Sequence, residues 1–368
     1  MRSRPIGVGV IGASVHNPGW AMTAHIPAIE ALPDFELRAI STSNRASADA
    51  AAKALGVPGY NNADELIADP GVDLVVVAVR VAYHHALTAA ALDAGKMVFT
   101  EWPLARTLDE AKDLVMRAEK AGVRTMVGLQ ARFSPAVEHA RNLVAQGYVG
   151  NVLATNLIGT GMIWGDQIPG SYAYVLDADA GAGVLAVSTM HALEALTSVL
   201  GEFAAIDGAA TLRRPIVLAI EDGRPLTATA FDHVALAGRL QSGALASVLF
   251  RGAPSRGDNL RWEINGTEGD LVLTATNGNF QVADLNLEGA RGMETKVAAL
   301  ERPMSFAGPF GDSSAGLGAN TLRQYAAFAR DLRENTRTVP DFAYALTRHH
   351  LLAAIEKATW SGIRQEIR

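Results

Sequence analysis

The chain has 368 residues, a formal net charge of −6 and no cysteine. Its length suggests two domains, and a hydrophobic fraction of 49% supplies a sizeable core, while no run approaches the roughly 18 to 20 apolar residues of a membrane helix. Disulfides, a thiolate nucleophile and cysteine-held metals are excluded, and charge spread without long basic blocks argues against direct nucleic-acid binding. Met1-Arg2-Ser3-Arg4-Pro5 leads straight into a strand with no long apolar leader, so a soluble, cytoplasmic globular protein without membrane contact is expected.

Ile6–Ile11 reads as a buried parallel strand, followed by Gly12-Ala13-Ser14 and a helix from Gly19 to Leu32. A second strand spans Phe35–Ser41 and a second helix Arg45–Leu55. Asp73–Val79 is a near-continuous apolar strand, then come a helix from about His85 to Ala94, a strand at Lys96–Thr100, a helix at Leu108–Ala121 and a strand at Thr125–Leu129. Strands alternating with helices of about 10 to 15 residues imply right-handed βαβ units and a doubly wound parallel sheet, a Rossmann domain over residues 1–130.

After Gln130 the pattern changes. Ser134–Gln146 reads as a connecting helix, Gly150–Gly159 as an extended segment, and His191 lies near the start of an apolar helix ending about Leu200. Alternation over Thr227–Leu240, Ala244–Phe250, Arg261–Gly266 and Asp270–Ala275 predicts a large, mostly antiparallel sheet, one face on its helices and the other left for water or a partner. Asn277–Gly318 carries no clear period and reads as loops; Asn320–Arg333 and Ala343–Gly362 are helices, with Gly362 a suitable stop. The second domain, 131–368, is thus α+β, and its C-terminal helix is free to pack back on the first. The exposed sheet face is a natural surface for a homodimer or homotetramer.

In an open parallel sheet, ligands sit outside the carboxyl ends of the strands. The turn after the first strand reads Gly12-Ala13-Ser14-Val15-His16-Asn17-Pro18-Gly19, which departs from the dinucleotide spacing G-x-G-x-x-G by a serine at the middle glycine and a longer gap. Gly12, Ser14, Gly19 and Trp20 are the candidates there for pyrophosphate contact, with glycine for packing alone as the other reading. The second strand ends in Ser41-Thr42-Ser43-Asn44-Arg45 with no acid. Ser43, Asn44 and Arg45 suit a 2′-phosphate, which favours NADP over NAD, although Ser43 or Asn44 is equally a good helix N-cap. Arg80, His84, Glu101, Trp102 and Gln130 follow later strands and complete the candidate cofactor set. Trp102 presents a flat plate and one N–H for a nicotinamide or sugar ring, or it merely plugs a domain boundary.

These pieces together resemble the Gfo/Idh/MocA family (glucose–fructose oxidoreductase / inositol dehydrogenase), and within it the branch of the fungal galactose-regulon repressor. The resemblance rests on Gly19-Trp20-Ala21 with His25-Ile26-Pro27-Ala28-Ile29, Val81-Ala82 with His84, Phe99-Thr100-Glu101-Trp102, Gly128-Leu129-Gln130-Ala131-Arg132 with Ser134-Pro135, Gln146-Gly147-Tyr148-Val149-Gly150, and Asn265-Gly266-Thr267-Glu268-Gly269. It implies a nicotinamide cofactor and a sugar, polyol or related hydroxy or keto substrate. Two departures stand out. The family's Glu-Lys-Pro reads Glu101-Trp102-Pro103, and the aspartate of its L-x-D-x-G-x-H signature is Val187, while the histidine remains as His191.

His191 has a titration range suited to taking a hydroxyl proton, with Tyr174 or Tyr172 as a relay; a hydrogen-bonded core histidine is the plain alternative. Arg132, Trp164 and Tyr172 are candidate substrate contacts. His16, His349 and His350 lack ligand-like company and His84-His85 diverge on a helix, so no metal site is expected. Two functions follow: an NADP(H)-dependent oxidoreductase with His191 as acid/base, or a catalytically silent NAD(P)-sensing regulator.

Overall fold

The computed structural model describes residues 4–301 and 316–367. The chain forms two compact units, whose described parts are 4–129 with 316–349, and 130–301 with 350–367.

The first unit runs β1 (Ile6–Ile11), a π-helical turn (Ala21–His25) leading into α1 (Ile26–Ala31), β2 (Phe35–Ser41), α2 (Arg45–Leu55), β3 (Gly59–Tyr60), α3 (Ala63–Ala68), β4 (Leu74–Val77), α4 (His84–Asp93), β5 (Met97–Glu101), α5 (Leu108–Ala121) and β6 (Thr125–Gly128). The strands are parallel and ordered β3-β2-β1-β4-β5-β6. The chain reverses direction across the sheet between β1 and β4, the switch point where such sheets bind ligands. Helices on both faces explain the unbroken apolar strands: every residue of β1 and of β4 is buried. The sequence sets the helix ends locally. Asn44 and Thr107 cap α2 and α5 by accepting the N–H of Ser47 and Glu110, and Gly56 and Gly122 close those helices in the left-handed conformation.

The second unit holds α6 (Pro135–Ala145), β7 (Val152–Thr160), β8 (Gln167–Ile168), α7 (Met190–Leu200), β9 (Phe203–Thr211), β10 (Ile216–Ala219), β11 (Pro225–Thr227), β12 (His233–Leu240), β13 (Leu245–Arg251), β14 (Leu260–Gly266), β15 (Gly269–Ala275), β16 (Asn286–Arg291) and β17 (Ala298–Ala299). The helix α8 (Ala319–Glu334) belongs to the first unit, α9 (Phe342–Ser361) is divided after His349, and β18 (Gln365–Glu366) ends the described chain. Nine strands form one sheet, ordered β17-β16-β15-β14-β7-β13-β12-β9-β18, antiparallel except at β7–β13. Strict alternation along β13, exposed at Leu245, Ser247 and Leu249 and buried at Ala246, Val248 and Phe250, leaves one face to solvent. The predicted architecture, a parallel Rossmann sheet and a large mostly antiparallel sheet, is the one observed.

Several local expectations are corrected. The segment read as loops from Asn277 to Gly318 contains β16, and residues 302–315 of it lie outside the described chain. The single stretch Thr227–Leu240 is two strands, β11 ending at Thr227 and β12 starting at His233. The strand β9 and the α3 helix were not foreseen, and the helix predicted from Gly19 opens with a π turn. A membrane-length apolar segment does exist, Ala178–Leu200, but 78% of its most apolar window is buried, as a core helix requires.

Candidate active site

Within the first unit, the candidate cofactor residues follow the carboxyl ends of neighbouring strands. Gly12 leaves β1 at φ +106°, and a Cβ there would stand 2.4 Å from the carbonyl oxygen of Ala78, just past β4. Only glycine permits that turn and that approach of the two strand exits. Ser14 hydroxyl lies 3.1 Å from that of Ser47, joining the loop to α2. The indole N–H of Trp20 is buried without a hydrogen-bond partner among the described residues. A buried orphan donor at a strand-end loop costs about 1 to 3 kcal/mol and calls for an acceptor that the described residues do not supply. The glycine turn and this donor fit a dinucleotide.

At the end of β2, Asn44 serves as the N-cap, so that alternative holds for it. Ser43 is exposed. Arg45 donates from Nη2 to Asn61 Oδ1 at 2.7 Å and from Nη1 to the Gly59 carbonyl at 3.3 Å, an exposed guanidinium steadied beside the strand end. Arg80 is exposed where β4 ends.

His84 is buried, with Nδ1 2.7 Å from the Pro103 carbonyl and Nε2 2.9 Å from that of Val79. It ties the exit of β4 to the turn after β5, so its influence on a ligand runs through the backbone it braces. Burial pushes the ring below its ordinary titration range, against the pull of the two carbonyls.

Glu101 ends β5, with its carboxylate over Gly128 at the end of β6; a Cβ on Gly128 would lie 2.3 Å from Oε2. Its Oε1 is 2.9 Å from His25 Nε2, and His25 Nδ1 is 3.0 Å from the Tyr325 hydroxyl. His25 and Tyr325 are fully buried, walled by Phe99 and Phe35. Burial and the Glu101 charge push the Tyr325 phenol well above its ordinary value. Trp102, 5% exposed, packs at a tilt on His349 with ring centroids 4.7 Å apart. His349, to which no metal role was assigned, is thus the ring partner of the residue that replaces the family lysine.

Within the second unit, Gln130 and Arg132 lie on a short 3-10 segment (Gln130–Phe133), and Arg132 Nε donates to Glu194 Oε1 at 2.6 Å. Glu194 is fully buried one helical turn after His191, which is itself 2% exposed. Arg132 and His191 are therefore referred to the same face of α7. Trp164 lies over Gly161 beside Val184, at the head of the run that leads to His191, and its indole N–H is a second buried donor without a partner among the described residues. Tyr172 and Tyr174 stack with centroids 6.4 Å apart. A π-helical turn (Leu185–Thr189) precedes His191 just as another ends on His25, and such turns recur at functional sites.

Sequence reasoning missed His25, Tyr325 and Glu194 as site residues. Glu194 carried a signal, since a lone acid inside the apolar run Met190–Leu200 demands a buried partner. His25 and Tyr325 lie 300 residues apart, and no local pattern joins them.

The oxidoreductase-family model for the NAD-binding Rossmann fold (GFO_IDH_MocA) matches residues 6–129, and the model for the C-terminal domain of Gal80p matches residues 135–275. A dehydrogenase of Aspergillus oryzae, aclE, is 33% identical over 74% of this chain and 77% of its own. The galactose/lactose metabolism regulatory protein GAL80 of Saccharomyces cerevisiae is 27% identical over 80% of this chain and 73% of its own. The crystal structure of a super-repressor mutant of that Gal80p covers 99% of this chain and 98% of its own with a TM-score of 0.87 at 25% identity. Levoglucosan dehydrogenase of Pseudarthrobacter phenanthrenivorans is 26% identical over 98% of both chains. A levoglucosan dehydrogenase structure with NADH and levoglucosan shares the fold, with a TM-score of 0.83 over 99% of this chain and 100% of that one, at 24% identity. The chain belongs to the Gfo/Idh/MocA oxidoreductase family, close to its Gal80-like branch.

Proposed function

We propose that the chain is an NAD(P)-dependent oxidoreductase acting on a sugar or a related hydroxy or keto compound. The observation that carries this is the β1–β4 switch point, where Gly12 brings two strand exits together, with the Trp20 donor on the loop after β1 unanswered among the described residues. Relatives named as dehydrogenases, among them one for levoglucosan, supply the substrate class. Bound there, a nicotinamide would accept or give a hydride. The chain's own part is to hold the dinucleotide through Gly12, Ser14, Gly19 and Trp20 and to exclude water with Trp102. His191, with Tyr174 as its relay, is assigned the substrate hydroxyl proton, and Arg132, Trp164 and Tyr172 the substrate.

NADP is the preferred form in this proposal, because the end of β2 offers hydroxyls, Asn44 and the Arg45 guanidinium, and no carboxylate for a ribose 2′-hydroxyl. The outer face of the nine-stranded sheet is proposed as a homo-oligomer surface. It carries exposed Leu245 and Leu249 and a shallow groove of about 500 Å³ between Arg239 and Glu263. A monomer by light scattering would remove that part.

A second reading, a nucleotide-sensing regulator without turnover, is favoured by the match of residues 135–275 to the Gal80p C-terminal domain and by Trp102 and Val187 in place of the family's lysine and aspartate. Calorimetric titration with each dinucleotide, followed by absorbance at the reduced-nicotinamide band across a sugar panel, separates the two. Binding with turnover supports the enzyme; binding with no turnover on any sugar supports the regulator.

A further inference from the structure

The turn that leads into His191 is braced by the loop after β15. Ser188, 1% exposed, donates its hydroxyl hydrogen to Asn279 Oδ1 at 2.8 Å. That hydrogen has this acceptor and no other among the described residues, which sets the amide with Oδ1 toward Ser188 and its NH2 group away from it. The backbone of Asn279 is held as firmly. Its N–H donates to Asn277 Oδ1 at 2.9 Å, and its carbonyl accepts from Val282 N and Ala283 N at 3.1 and 2.9 Å. Gly278 lies so close to the end of β7 that a Cβ there would stand 1.9 Å from Thr160 Oγ1. Phe280, fully buried, packs edge-on against Trp262. The amide is thus presented by a fixed loop, and a ligand that meets it has little ordering left to impose.

Asn279 is half-buried, and the two hydrogens of its NH2 group meet no acceptor among the described residues. Ser188 stands three residues before His191 on one helical run, so Asn279 docks beside the face that carries the histidine. The same turn holds the half-buried Val187 at the position of the family's aspartate, and a valine side chain can neither donate nor accept. At its start the turn meets Trp164, 4% exposed, whose indole N–H is likewise unanswered among the described residues. Both ends of the turn therefore offer donors. Building on the oxidoreductase reading above, we infer that Asn279 is a specificity-determining residue, its side-chain NH2 donating to an acceptor oxygen of the sugar whose reacting carbon faces His191. The contact selects sugars by an oxygen other than the one that reacts, and Ser188 acts through Asn279 as a positioning residue.

The test follows the Asn279 side-chain NH2 pair in nitrogen-15 NMR spectra, identified by its loss in Asn279→Asp, while the intact chain with NADP⁺ is titrated with levoglucosan and the rest of a sugar panel. Steady-state kinetics on the same sugars run beside it. Asn279→Asp keeps an acceptor for the Ser188 hydroxyl and removes the donor. It should raise KM for the sugar turned over fastest about tenfold, with kcat and NADP⁺ affinity nearly unchanged. Ser188→Ala, which frees the amide without removing it, should give a smaller rise in KM. One single-deoxy analogue of that sugar should already be weak with the unaltered chain and lose nothing further in Asn279→Asp, since it lacks the oxygen that the amide holds. An unchanged KM in Asn279→Asp, or an equal loss for every deoxy analogue, overturns the inference and leaves the oxidoreductase reading intact. A sugar that shifts the NH2 pair without being turned over keeps the contact and removes the enzyme. Neither a shift nor turnover with any sugar removes both.

Discussion

Replacing Gly12 by alanine is the sharpest structural probe of the cofactor loop. At φ +106° an alanine sits in backbone space that L residues rarely occupy, a strain of about 1 to 3 kcal/mol. The added methyl would stand 2.4 Å from the Ala78 carbonyl oxygen and 2.9 Å from Val79 Cγ1. Relieving that overlap means parting the exits of β1 and β4, and forced overpacking of this kind costs about 1 to 3 kcal/mol. Together the two effects predict roughly 2 to 6 kcal/mol of lost stability, read in urea as a lower midpoint with an unchanged slope. Because the parted exits bound the proposed pyrophosphate cradle, dinucleotide affinity should fall as well in whatever fraction remains folded. A loss below about 1 kcal/mol together with unaltered affinity would refute the reasoning that this glycine shapes the cradle.

Arg45→Gln should weaken NADP(H) about tenfold in titration while leaving NAD(H) nearly unchanged, because only the former carries the 2′-phosphate that a guanidinium holds. His191→Ala should reduce turnover by about 10² to 10⁴-fold with cofactor affinity intact, measured by steady-state kinetics beside calorimetry; full turnover would take the proton-transfer role from this residue. Asp331, 1% exposed on α8, accepts from Thr336 Oγ1, Thr338 N, Thr338 Oγ1 and Val339 N at 2.7 to 2.9 Å. Burial works to raise its titration point, and those four donors overcome it and hold the carboxyl below its ordinary value. The sign follows: this stabilisation is complete above the unfolded value of about 3.9 and is lost as pH falls through the lower folded value. Asp331→Asn should cost roughly 3 kcal/mol near neutrality in denaturant melts and flatten the acid limb of the stability profile.

Much of the frame was legible because the physics is local. The buried Val and Ile runs of β1 and β4 announce a sheet covered on both faces, and Asn44 before Arg45–Leu55 announces a capped helix, as observed. The misses are equally physical. Asn286–Arg291 has no clean alternation, burying Leu287, Gly289 and Ala290 with Glu288 half-buried, so β16 passed for a loop. Six residues of α3 are too few to display a helical period. Trp102 was read as a plate for a ligand ring, and its geometry adds a protein partner, His349, more than two hundred residues later in the chain. The wiring of Glu101 through His25 to Tyr325 is tertiary, fixed by separations of 76 and 300 residues. No window on the sequence contains it.

Dinucleotide titration of the unaltered protein is the most direct measurement. Saturable binding of NADP(H), tighter than that of NAD(H) and diminished by Gly12→Ala, is the predicted result. No uptake of any of the four nicotinamide dinucleotides at millimolar concentration would contradict both the oxidoreductase and the regulator.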